Sequence, residues 1–79
     1  MTIQDIQAKY TDLLHRFVVG LIHDETEAHA IVVLCFEYLR SNIHLVEDEK
    51  MVQGCLENSA RELSINYINK KENERRNRD

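Results

Sequence analysis

Asp24-Glu25-Thr26-Glu27-Ala28-His29-Ala30-Ile31-Val32-Val33-Leu34-Cys35-Phe36-Glu37-Tyr38-Leu39-Arg40 is the stretch on which the fold turns. Its centre, Ile31–Phe36, is apolar nearly all round and rich in β-branched residues, which suits a buried strand. Two features favour a helix instead. Asp24 followed by Glu27 has the spacing of an N-cap with its capping-box partner, and the pattern continues without a break through Glu37-Tyr38-Leu39-Arg40. A helix is therefore predicted over residues 25–40, and with it a chain without strands.

Upstream, Ile3, Ile6, Tyr10, Leu13, Leu14, Phe17, Val18 and Leu21 recur at the three-and-four spacing of an amphipathic helix, predicted over residues 3–22. Thr2 can cap its first turn, and Asp5 sits well against the positive end of the dipole. Gly20 inside this pattern costs about 1 kcal/mol relative to Ala, which points to a close helix crossing or a fraying last turn. Downstream, Ser41-Asn42-Ile43-His44-Leu45-Val46 has neither period and reads as a connection. Asp48 then offers a cap for a third helix over 48–69, with Val52, Cys55, Leu56, Ser59, Ala60, Leu63 and Tyr67 on its buried face. Residues 69–79 contain no apolar side chain, so the predicted division is a helical domain over 1–69 and a frayed, solvated basic tail over 70–79. The expected fold is all-α: a small bundle of three main helices, or four if the 41–47 connection forms a turn of its own. Phe17 and Phe36 are expected in the core, each costing roughly 3–5 kcal/mol when cut to Ala.

Seventy-nine residues allow one small domain and exclude a two-domain enzyme. Ten basic and fourteen acidic residues give −4, unevenly spread: residues 1–69 carry five basic and eleven acidic side chains, a net −6, whereas 70–79 carry +2. Cys35 and Cys55 lack the paired spacing of a zinc site and are too few for a disulfide framework, so they are expected to be reduced, in a cytoplasmic protein. No signal segment and no bilayer-spanning run is read from the sequence. His15, His23, His29 and His44 show no ligand spacing and read as surface residues; no metal or other cofactor is expected. Both cysteines fall on apolar helical faces, where thiols behave as small hydrophobes. Without a glycine-rich phosphate loop or serine elbow, elimination argues against an enzyme.

Two features remain informative. The second helix is over-apolar for a three-helix domain, so either the bundle wraps it closely or part of Val33, Leu34 and Tyr38 faces a partner. The basic end of the third helix can engage phosphate through Lys70, Lys71, Arg75 and Arg76, diluted by Glu72 and Glu74.

The order of residues also resembles a known family. The stretch from Asp24 to Arg40 is similar to region 2.2 of the extracytoplasmic-function sigma factors, in which an acidic cap is followed by Ala, an acidic pair, Ile-Val-Gln-Glu, an apolar residue, Phe and a basic-aromatic end. Val52-Gln53-Gly54-Cys55-Leu56-Glu57-Asn58-Ser59-Ala60-Arg61-Glu62-Leu63-Ser64-Ile65-Asn66-Tyr67-Ile68-Asn69-Lys70-Lys71 looks like regions 2.3 and 2.4, and Tyr10–Phe17 fits the family's first long helix. The resemblance implies a sigma region 2 domain that binds the clamp helices of the RNA polymerase β′ subunit and reads and opens the promoter −10 element. Nothing in the chain corresponds to the family's region 4, so a fragment or a reduced relative is expected.

Carried over residue by residue, the polymerase-binding set is Asp24, Glu27, Val33, Leu34 and Glu37, and the DNA-binding set is Asn58, Arg61, Glu62, Asn66, Asn69, Lys70 and Lys71. The departures fall within these sets. Ala30, Val33 and Leu34 replace an acidic residue, a Gln and a Glu of the family; Glu62 stands where the family has Asn and repels phosphate; Asn69 stands where Arg is usual. The implied partners are core RNA polymerase and promoter DNA, an anti-sigma factor is a further one the resemblance allows, and the apolar second helix invites self-association. The alternative is a helical interaction module that kept the fold but lost promoter binding.

Overall fold

Each helix begins where a short polar side chain can cap it. Thr2 Oγ1 accepts the Asp5 N–H at 3.2 Å while the Asp5 carboxylate accepts the Thr2 N–H at 3.5 Å, the reciprocal box that opens α1, Ile3–Ile22. Asp24 Oδ1 accepts the Glu27 N–H at 3.1 Å and opens α2, Glu25–Ser41. After a 3-10 turn at Ile43–Leu45, Asp48 Oδ1 accepts the Met51 N–H at 2.9 Å at the start of α3, Glu49–Asn77. The computed structural model describes residues 2–77, at Ile3 and Asn77 by backbone alone. Ile3 of the first apolar stripe and Arg78 and Asp79 of the basic run fall outside the described side chains.

Ile31–Phe36 lies wholly within α2, and the fold is all-α. The three helices pack each on the other two. Tyr10 meets Glu49 near the starts of α1 and α3, and Ile22 meets Tyr67 and Ile68 further along, so α1 and α3 run parallel with α2 antiparallel to both. The core is built from Ile6, Leu14 and Val18 of α1; Ala28, Ile31, Val32, Cys35, Phe36 and Leu39 of α2; and Val52, Leu56 and Ala60 of α3. Its burial offsets the ordering entropy of so short a chain. Burial also pushes the Cys35 thiol up to about 11, as does the nearby Cys55, so Cys35 is a protonated hydrophobe at neutral pH. Two polar ties hold α3 in place: Glu49 is paired with Lys9 and accepts the Tyr10 hydroxyl at 2.8 Å, and the Tyr67 hydroxyl donates to Asp24 Oδ2 at 3.1 Å.

Four expectations need correction. Leu13, Phe17 and Leu21 share the α1 apolar stripe but lie on its outer edge, with Leu13 60% and Phe17 36% exposed, because the two neighbouring helices cover only the Ile6–Leu14–Val18 side. Phe17 is therefore not the core anchor that Phe36 is. Gly20 marks neither a close crossing nor a frayed end: nothing lies within 4 Å of where its Cβ would stand, and α1 continues to Ile22. There the chain turns through His23 in the left-handed region (φ 55°), whose N–H closes on the Val19 carbonyl at 2.8 Å. Ser64, absent from the expected buried face of α3, is fully buried. Finally, residues 70–77 do not fray but continue α3, solvent-exposed through Arg76. Lys, Glu and Arg are good helix formers, no Gly or Pro follows Gly54, and Arg75 and Arg76 face the negative end of the dipole.

Candidate interaction surface

The outward side of α2 follows from its inward one. With Ile31, Val32, Cys35, Phe36 and Leu39 turned into the bundle, the 3.6-residue period leaves Val33, Leu34, Glu37 and Tyr38 outside, and all four are exposed, Leu34 by 48% and Tyr38 by 57%. Of the two accounts of the over-apolar helix, complete wrapping does not hold. On α3 the core face is Val52, Leu56, Ala60 and Ser64, so Asn58, Glu62, Asn66 and Asn69 form a line away from it, with Arg61 at the edge on the α1 side. These five, with Lys70 and Lys71, are all exposed.

The two sets adjoin. A groove of about 680 Å3 runs between α2 and α3, lined by Leu34, Glu37 and Tyr38 on one wall and by Asn58, Glu62 and Leu63 on the other. Leu34 and Glu37 of the polymerase-binding set thus face Asn58 and Glu62 of the DNA-binding set across one cleft. Cys55, Ser59 and Leu63, assigned from periodicity to the buried face, are half-buried along its wall. Helical spacing alone does not separate a core position from one under the lip of a groove, and no further signal marked these three.

Val33 points to the other side of α2, into a smaller cleft against α1 shared with Thr11, His15, Phe36 and Arg40, and Glu37 borders both clefts. Glu27 is exposed near the start of α2. Asp24 is half-buried, and both of its carboxylate oxygens are engaged, one by the Glu27 N–H and one by the Tyr67 hydroxyl. Those bonds hold its carboxyl below the usual carboxylate range, the Glu27 N–H foremost. At the far end of α3, Lys71 lies 5.7 Å from the centre of the Tyr67 ring and 3.9 Å from Glu74, while Lys70 has neither contact.

The charge along this surface changes sign. Glu37 and Glu62 put carboxylates on opposite walls of the groove, and the basic side chains begin only at Lys70 and Lys71. An apolar floor between acidic walls suits a helix that brings an apolar stripe and flanking cations; a phosphate backbone fits only beyond Asn66. The connecting turn adds exposed Ile43 and Leu45 beside the end of α2, apolar side chains in a segment whose spacing has neither period. Among the described residues no three His, Cys, Asp or Glu side chains gather as a metal site, and no helix is long and apolar enough to cross a membrane. Comparison with family models, with curated proteins and with solved structures found no match to the chain.

Proposed function

We propose that the chain is a sigma region 2-type binding domain that docks on the β′ subunit of RNA polymerase through the outer face of α2 and contacts single-stranded promoter −10 DNA through α3. The observation that carries this reading is that the two residue sets carried over from the resemblance are, apart from half-buried Asp24, exposed and adjoin, Leu34 and Glu37 with neighbouring Tyr38 sharing a cleft with Asn58 and Glu62. The three-helix architecture is the one the resemblance implies. The mechanism is binding alone. The Leu34–Tyr38 face seats on the clamp helices, Asn58, Asn66 and Asn69 offer amides to bases, Lys70 and Lys71 meet phosphates, and the 41–47 connection supports unstacked bases. On this reading the protein works in the cytoplasm alongside polymerase and needs no cofactor.

The test is fluorescence anisotropy of a −10-like single strand at two salt concentrations. Glu62→Asn should tighten binding by removing repulsion, and replacing both Lys70 and Lys71 by Ala should weaken it for every sequence and lower the salt slope by about 1–2. If Glu62→Asn leaves affinity unchanged and the double Lys variant keeps the parent's slope, α3 does not touch DNA. The second reading, an interaction module that kept the fold without promoter binding, is favoured by the acidic walls of the groove. It predicts no single-strand binding even at low salt, with core polymerase or another helical protein still captured in a manner that Leu34→Glu abolishes.

A further inference from the structure

On the side of the bundle away from the α2–α3 groove, α1 holds three large apolar side chains in solvent, Leu13, Phe17 and Leu21, each one turn from the next. Across from them α3 presents Glu57, which borders a cleft of about 280 Å3 with Tyr10, Leu13 and Phe17, and one turn further on the same side Arg61. The row and the charges share a symmetry. Leu13 and Leu21 stand equally far either side of Phe17, and Glu57 and Arg61 are of opposite sign one turn apart at that level. A two-fold axis across the helices at Phe17 therefore sets Leu13 against the partner's Leu21, Phe17 against Phe17, and Glu57 against the partner's Arg61, each ion pair being made twice. Gly20 flanks the row with open space where a Cβ would stand, so a neighbouring helix meets no side chain there.

We infer that this α1–α3 face is the interface of a two-fold dimer, its occupant a second copy of the chain with the two α1 helices antiparallel. An apolar row and a charge pair that are each their own complement under a two-fold axis are what an isologous contact requires and what an unrelated partner would not need. The inference is independent of the function proposed above. It also differs from self-association through α2, and it leaves the α2–α3 groove open in both copies.

Sedimentation equilibrium of the full chain, from low micromolar to about 1 mM, reads the association directly. A reversible monomer–dimer equilibrium is expected, weakened about tenfold or more by Phe17→Glu and by Leu13→Glu. Both residues are exposed enough for the helical circular dichroism to persist, and Leu13 serves should Phe17→Glu disturb the fold. Glu57→Arg or Arg61→Glu alone should weaken the dimer about fivefold, by setting like charges opposite each other twice, and the two together should restore it. Leu34→Glu in the other groove should change nothing. A chain that sediments as a monomer throughout, a dimer that survives both Leu13→Glu and Phe17→Glu, a double charge reversal no tighter than the single ones, or dissociation by Leu34→Glu would each overturn the inference.

Discussion

Ser64 carries a hydroxyl into the middle of three packed helices, fully buried and, among the described atoms, without a hydrogen-bond partner. An unpaired buried hydroxyl costs about 1–3 kcal/mol, and Ala is the better helix former at the same site. Ser64→Ala should therefore stabilise the protein by about 1–2 kcal/mol, seen as a higher urea midpoint at unchanged slope. A lower midpoint would mean that the hydroxyl has a partner after all. The two phenylalanines separate at the same scale. Phe36→Ala empties a closed site and should cost roughly 3–5 kcal/mol, close to the whole stability of so small a bundle, whereas Phe17→Ala should cost about 1 kcal/mol. In the sequence the pair look equal because both sit on apolar stripes, and Ser64 falls off the expected core because the stripe drawn through Ser59, Leu63 and Tyr67 lies to one side of the true Val52–Leu56–Ala60–Ser64 face. Spacing shows which side chains share a face; which part of that face a neighbour covers depends on how helices far apart in sequence cross.

Helix ends were more legible than helix sides, because capping is local chemistry. Thr2, Asp24 and Asp48 each carry a side-chain oxygen that bonds a nearby N–H, so the starts of all three helices follow from the sequence. The end of α3 did not, since a run of Lys, Glu, Asn and Arg is as consistent with a solvated helix as with a loose tail. What anchors α3 also escaped the sequence: Glu49 held by Lys9 and Tyr10, and Asp24 held by the Glu27 N–H and by Tyr67, which lies 43 positions from Asp24. Both carboxyls are depressed, Glu49 first by the hydrogen bond from Lys9 and then by Tyr10, Asp24 first by the Glu27 N–H. A group whose folded value lies below its unfolded one contributes stability that is complete above the unfolded carboxylate value of about 4 and is lost as pH falls through the folded one. Thermal midpoints should therefore drop below about pH 4. The double variant Asp24→Asn, Glu49→Gln should be less stable than the parent at pH 7 and lose less on acidification. An unchanged acid dependence would show that these two contacts are screened away in solution.

At the scale of the whole molecule, the interaction surface was half legible. The exposure of Leu34, Glu37, Asn58 and Glu62 follows from helical phase and was anticipated; their convergence on one cleft required the crossing of α2 over α3. The same packing sets the molecule's dimensions, 50 × 21 × 16 Å, long because α3 has 29 residues against 20 in α1 and projects beyond its neighbours. A rigid projection of this kind behaves as a crankshaft. One residue inserted into α3 between Ile68 and Lys70 would advance Lys70, Lys71, Arg75 and Arg76 by only about 1.5 Å but swing them about 100° around the axis, turning Lys71 and Arg75 off the Ile22 side of α3 that they share. Seven inserted residues would carry the same cations about 10 Å outward and return them nearly to their original bearing. The angular bearing of the positive charge relative to the Leu34–Glu62 cleft is thus written in the count of residues between them, a constraint that a flexible basic tail of identical composition would not impose.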